Sequence, residues 1–189
     1  MKYLFLILTL SIFLTACGDY PIETTMSQDV EAFEFTTQDN DKLSLNDLEG
    51  EWWIADFIFT NCTTVCLPMT SNMASLQTKL NEEDIDAQLV SFSVDPDYDS
   101  PEVLKAYGKS YNADFSNWTF LTGYDFNTIK ELSIKSFKNL VAEAPDGTDQ
   151  VTHGTSFFLV SPEGKVIKNY SGVESAAIDT IVQDLKEVQ

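Results

Sequence analysis

Cys62 and Cys66 stand one helical turn apart, with Thr63, Thr64 and Val65 between them, and the chain's single histidine, His153, lies far downstream. Two thiolates and one imidazole form a soft donor set that suits a thiophilic ion such as copper, whereas the two thiols alone would suggest only redox exchange. A static disulfide is a third reading, which an exported location permits, although a bridge over so short a loop adds little chain-entropy stabilisation. Zinc fits less well, because structural zinc sites close with four protein ligands and no fourth Cys or His is available, the remaining cysteine, Cys17, standing at the N-terminal end as a candidate lipid anchor. If Cys66 falls in the first turn of a helix, unsatisfied backbone N–H groups and the helix dipole favour its thiolate.

The surrounding sequence supplies the elements that would position these groups. Trp53 to Thr60 is an apolar run interrupted only by Asp56, as expected of a central strand buried on both faces, and it leads straight into Cys62. Beyond the cysteines, Met69, Met73, Leu76 and Leu80 mark one face of a helix that tolerates Pro68 in its first turn and ends in the cluster Asn81 to Asp84. Ala87 to Val94 predicts a second buried strand, Glu102 to Lys109 a short helix and Trp118 to Leu121 a third strand. Asn127 to Ser136 predicts a helix with Ile129, Leu132 and Ile134 inward, followed by a polar loop from Val141 to Thr152. Ser156 to Ser161 and Lys165 to Tyr170 flank a Pro-Glu-Gly turn as a hairpin, Ala176 to Val188 forms a closing helix, and Phe33 to Leu45 reads as a small N-terminal hairpin. This order predicts an α/β fold of three layers, thioredoxin-like, with a mixed central sheet and an N-terminal β-hairpin extension. In such a sheet the loop entering the hairpin strand lies beside the cysteine loop, so His153 is expected near Cys62 and Cys66.

Lys2 followed by the apolar run Tyr3 to Phe13 is too short to span a bilayer comfortably and resembles a secretory signal. Leu14, Thr15, Ala16 and Cys17 resemble the bacterial lipoprotein box, in which the cysteine is acylated and becomes the mature N-terminus. The expected organisation is a signal peptide over residues 1–16, lipidated Cys17 with a polar tether over 17–29, and one domain over 30–189, held as a membrane lipoprotein on the outer face of the cytoplasmic membrane. Acidic residues outnumber basic ones by 30 to 11, and every basic residue is a lysine. A polyanion would be repelled and no guanidinium fork is present, which excludes nucleic acid as a partner class. The absence of arginine also argues against a peroxidatic cysteine supported by a cation.

Phe57, Ile58, Phe59, Thr60 and Asn61 before Cys62 resemble the approach to the Cys-x-x-x-Cys motif of the Sco family of copper-handling, thioredoxin-like proteins. Val94 to Pro101 is similar to that family's Asp-Pro-x-x-Asp-x-Pro loop, and Val151, Thr152, His153 and Gly154 occupy the place of its histidine motif. The resemblance covers roughly Phe33 to Lys186 and implies copper, as Cu(I) or Cu(II), bound by Cys62, Cys66 and His153. Asp95 would add an oxygen donor to Cu(II), its other reading being a turn-forming Asp before Pro96. The partner implied is the copper-bearing subunit of cytochrome c oxidase. A metallochaperone transfers copper without turnover; a thiol-disulfide reductase acting through Cys62 and Cys66 on that subunit's cysteines is the enzymatic alternative. The family usually has proline after each cysteine, where this chain has Thr63 and Leu67; it commonly has Asp where this chain has Thr152, and Arg where this chain has Tyr98.

Overall fold

An apolar run without a polar face must be covered on both sides, and Trp53–Ile58 is covered so completely that every residue in it is buried. The computed structural model describes residues 20–62 and 66–189, the side chain of Cys66 excepted. Chain order begins with strands β1 (Gln28–Asp29), β2 (Glu34–Thr37) and β3 (Lys42–Ser44), a 3-10 turn at Leu45–Leu48 and β4 (Trp53–Ile58). Helix α1 (Cys66–Glu82), β5 (Gln88–Ser93), α2 (Pro101–Ser110), β6 (Trp118–Thr122) and α3 (Phe126–Phe137) follow. The chain closes with β7 (Val141–Ala142), β8 (Thr152–His153), β9 (Ser156–Val160), β10 (Lys165–Ser171) and α4 (Ala176–Val188).

Eight strands form one mixed sheet in the order β1-β10-β9-β4-β5-β6-β2-β3. Strands β4, β5 and β6 run parallel, joined through α1 and α2, while β9 adds antiparallel to β4 and the β2–β3 hairpin adds antiparallel to β6. Side chains of β4 alternate between two cores. Ile54 and Ile58 pack with Met69, Met73, Leu76 and Leu80 of α1, Leu104 of α2 and Ile178 and Ile181 of α4. Trp53, Ala55 and Phe57 pack on the opposite face with Ile129, Leu132 and Phe137 of α3. The sheet is thus the middle of three layers, as expected.

Two expectations are corrected. Ile134 is 43% exposed, because the α3 stripe that meets the sheet runs through Ile129, Leu132, Ser133, Ser136 and Phe137. The stretch read as a tether is part of the domain from Tyr20 onward: Ile22 is buried in the core, the Tyr20 and Trp52 rings meet edge to face, and Thr25 and Met26 donate backbone hydrogen bonds to the Ile167 carbonyl. Strand β1 then caps the open edge of β10. An edge strand presents unpaired backbone groups that a short polar segment satisfies without any hydrophobic periodicity, which is why the sequence pattern does not reveal it.

Asp56, by alternation on the α1 side of β4, has no exposed surface, and neither carboxylate oxygen has a hydrogen-bond partner. Burial raises its pKa to about 7 against a small opposing effect of Ser91, the residue beside it on β5. Ser91 Oγ instead accepts the Trp118 indole N–H at 3.0 Å. A carboxyl whose pKa rises from 3.8 to about 7 on folding stabilises the fold while protonated, so that contribution is full below pH 4 and is lost as pH rises through about 7. Relative to Asp56→Asn, the parent should lose about 2–3 kcal/mol of unfolding free energy between pH 5 and pH 8. Denaturant titrations at both pH values check this, and parallel pH profiles for the two proteins would refute it.

Candidate metal centre

The parallel strands β4 and β5 end side by side, and in open α/β sheets the crevice beyond such ends is where sites are built. Phe59, Thr60, Asn61 and Cys62 continue β4 out of the sheet, and the loop after β5 carries Asp95 and Asp99. Asp99 is completely buried and joins the two strand ends. Its carboxylate accepts from the Thr60 backbone N–H at 3.2 Å, from the Thr60 hydroxyl, and from Ser93 Oγ at 2.6 Å. Burial raises the Asp99 pKa, and the hydrogen bonds from Ser93 and Thr60 act in the opposite direction. Cys62 follows two residues later, 7% exposed and packed in the α3-side core with Phe59 and Phe57.

Cys66 is the first residue of α1, the position where the dipole and unbonded N–H groups favour a thiolate. The first turn of α1 carries no acidic side chain to offset that effect.

His153 was expected at the end of a loop, and the structure gives it a strand. β7 and β8 pair antiparallel with Val141 opposite His153 and Ala142 opposite Thr152, so the intervening loop is the arm of a small hairpin. The His153 ring meets the Phe59 ring edge to face at 5.7 Å between centroids. Its Nδ1 lies 2.8 Å from the Gly154 carbonyl oxygen. A carbonyl only accepts, so this contact assigns the proton to Nδ1 and the lone pair to Nε2, a tautomer that ligates a metal through Nε2. Burial lowers the pKa of the imidazole, which favours that neutral form, against the opposing pull of the Gly154 carbonyl.

Gly154 is held as closely as the histidine. Its N–H donates to the Leu140 carbonyl at 2.9 Å, and a Cβ at this position would stand 1.9 Å from Asn139 Oδ1. Asn139 is itself fixed, its Nδ2 donating to Ser133 Oγ while that hydroxyl donates to the Asn139 carbonyl, both at 3.1 Å. On the other side of the hairpin, Asn61 Nδ2 donates to Asp149 Oδ2 at 2.6 Å, and Gln150 Nε2 donates to the Asn61 carbonyl at 3.0 Å.

Of the residues singled out from sequence, Cys62, on the segment leaving β4, and His153, in β8, therefore lie on abutting segments, with Cys66 at the adjoining helix start. Asp95 stands at the edge of this group, partly exposed, its pKa raised by burial and by the nearby carboxylates of Asp97 and Asp149. Among the described residues no three His, Cys, Asp or Glu side chains converge as a metal cluster, and the Cys66 side chain lies outside them. Cys17 also lies outside the described residues. Two soft or borderline donors beside a second thiol position fit a thiophilic ion and do not fit a hard oxygen-seeking one. Sequence reasoning assigned no role to Asp99, Asn61, Asp149, Gln150 or Asn139; for Asp99 a signal existed, a second acid in the Asp-Pro loop, but its burial did not show.

The SCO1/SenC family model matches residues 23–189. The SCO1 protein homolog of Bacillus subtilis (strain 168) is 50% identical over 175 residues, which cover 93% of this chain and 90% of that protein. A SCO1/SenC family lipoprotein from Bacillus anthracis str. Ames superposes with a TM-score of 0.82 at 49% identity, covering 85% of this chain and 95% of that one. BsSco, a member of the Sco family of cytochrome c oxidase assembly proteins in which a disulfide switch was identified, superposes with a TM-score of 0.79 at 50% identity over 87% of this chain and 95% of its own. With its thioredoxin-like sheet, its paired cysteine positions and the histidine hairpin beside them, the chain belongs to the SCO1/SenC family.

Proposed function

We propose that this chain is a membrane-tethered copper metallochaperone that carries copper on Cys62, Cys66 and His153 and delivers it to the copper-bearing subunit of cytochrome c oxidase. The observation that carries this reading is the histidine hairpin: it sets a neutral, Nδ1-protonated imidazole against the loop that bears Cys62. Membership of a family that includes cytochrome c oxidase assembly proteins supports the partner, and the fold is shared with yeast Sco1 solved with copper bound, at 24% identity and a TM-score of 0.68. Copper is cargo here, so the site must bind it and also release it. Two thiolates and an imidazole suit Cu(I), while Cu(II) recruits a further oxygen, the role proposed for Asp95.

Loading is tied to thiol redox state, since oxidation of Cys62 and Cys66 to a disulfide removes two of the donors and reduction restores them with two protons and two electrons. The same pair supports the second reading, a thiol-disulfide reductase: one thiolate attacks a partner disulfide, the other resolves the mixed disulfide, and the partner leaves as a dithiol. The disulfide switch described for BsSco favours keeping this reading beside the first. Acylation of Cys17 would hold the domain at the outer face of the cytoplasmic membrane, in keeping with the lipoprotein from Bacillus anthracis. Among the described residues no helix is long and apolar enough to cross a membrane.

Anaerobic Cu(I) titration of the reduced protein, purified in detergent with its N-terminal segment intact, separates the two readings. Cys62→Ala, Cys66→Ala and His153→Ala should each lose more affinity than the roughly 10–100-fold that removal of an outer partner costs. A His153→Ala protein that bound copper like the parent, in a protein that catalysed disulfide exchange, would replace the chaperone with the reductase.

The two loop aspartates should separate as well. Asp95→Ala should leave Cu(I) affinity and thermal stability near parental and alter the Cu(II) absorption and electron paramagnetic resonance spectra. Asp99→Ala should lower stability by about 1–3 kcal/mol, because the Thr60 N–H loses its acceptor and the buried Ser93 hydroxyl is left unpaired. Unchanged Cu(II) spectra in Asp95→Ala would remove that residue from the site.

A further inference from the structure

Among the described residues, the hydrogen bonds between the cysteine loop and the histidine hairpin gather on one residue, Asn61, which immediately precedes Cys62. Asn61 is held at two points: its side-chain amide donates to Asp149 Oδ2 at 2.6 Å, and its backbone carbonyl accepts from Gln150 Nε2 at 3.0 Å. The same Gln150 nitrogen donates to Asp149 Oδ1 at 2.9 Å, which closes the three residues into a ring through the Asn61 backbone carbonyl. Asp149 and Gln150 lead through Val151 directly into β8, whose second residue is His153.

From this geometry we infer that Asn61, Asp149 and Gln150 form a clasp that fixes the spacing of Cys62 from His153 and thereby sets how slowly bound copper leaves. The inference rests on the copper reading above for its cargo and on hydrogen-bond geometry for its mechanism. Asp149 is exposed and Asn61 and Gln150 are half-buried, so water competes for these contacts and the ring contributes little to global stability. Its effect is local preorganisation. A donor loop that must be ordered when metal arrives loses part of the binding free energy to that ordering, and a loop already clasped does not. Asn61 suits the task because one residue offers a side-chain donor and a backbone acceptor on the side facing the hairpin. Asp149 supplies a charge-assisted acceptor, the stronger kind of partner in a wet environment. The clasp is also a release point: opening it frees the hairpin that bears the imidazole while both thiolates keep their hold.

The test compares Asn61→Ala and Asp149→Ala with Asp149→Asn, which retains an acceptor oxygen without the charge, all in the full chain. The metal-free readout is the alkylation rate of Cys62 in the reduced protein, resolved by peptide mass spectrometry. The second readout is the rate of Cu(I) loss to a competing chelator. Both alanine variants should alkylate Cys62 severalfold faster and lose copper about 10–100-fold faster, the range for outer partners of a metal site. Their melting temperatures should stay near parental, and Asp149→Asn, which keeps one of the two acceptor oxygens and turns an amide N–H toward the other donor, should fall between the parent and Asp149→Ala in both assays. Parental alkylation and copper loss in both alanine variants would overturn the clasp, as would Asp149→Asn behaving like Asp149→Ala, which would assign the effect to charge alone. A parent that failed to retain copper would overturn the copper reading, and the metal-free alkylation comparison would still decide the clasp.

Discussion

A carboxylate sealed from solvent at the ends of two parallel strands holds the working end of this domain in shape. Asp99 receives hydrogen bonds from Thr60 at the exit of β4 and from Ser93 at the exit of β5. Burying a carboxylate is costly, and the cost is tolerated only where several donors meet it with good geometry. Those donors are residues whose backbone must turn away from the sheet at that point. The interaction therefore fixes where the cysteine loop leaves β4 and where the Asp95 loop leaves β5, and Cys62 inherits its position from both.

The histidine side is organised by different means. A ladder between Val141 and His153 replaces loop freedom with sheet register, and a glycine that cannot acquire a Cβ without meeting Asn139 keeps the strand end close to α3. Asn139 takes its orientation from Ser133, buried on α3. The imidazole is thus tied to a helix on one face of the sheet, while Cys66 begins a helix on the other. A metal held by these residues would bridge the two outer layers through the middle one, which makes the site sensitive to any shift between layers.

Much of this was legible in the sequence because it follows from periodicity. The buried run from Trp53, the methionine and leucine stripe of α1 and the Pro-Glu-Gly hairpin each imply one element, and their order implies the sheet. The placement of the His153 hairpin against the segment leading into Cys62 followed from topology. What stayed hidden were features with no periodic signature: the two-residue strands β7 and β8, the docking of Tyr20 to Asp29, and the polar contacts of Asn61 and Asp99. Asp95 and Asp99 look alike in the sequence, both beside turn residues, and only the fold shows that one is partly exposed and the other is enclosed. The inward placement expected of Ile134 failed for a related reason, since α3 meets the sheet along a stripe that includes Ser133 and Ser136 in place of larger apolar residues.

The docking of the N-terminal segment would limit how a domain lipidated at Cys17 could explore a membrane surface. With Ile22 anchored in the core and Cys17 as the proposed point of lipidation, the chain between them reaches about 18 Å at full extension. A tether running to Val30 would have reached more than twice as far. Such a short leash is comparable to the radius of a domain of this size, so a domain lipidated at Cys17 would not tumble through all orientations above the bilayer. Tethered there, it would only roll over a limited arc, and a search for a membrane-embedded recipient would become a two-dimensional one with the approach angle largely chosen in advance.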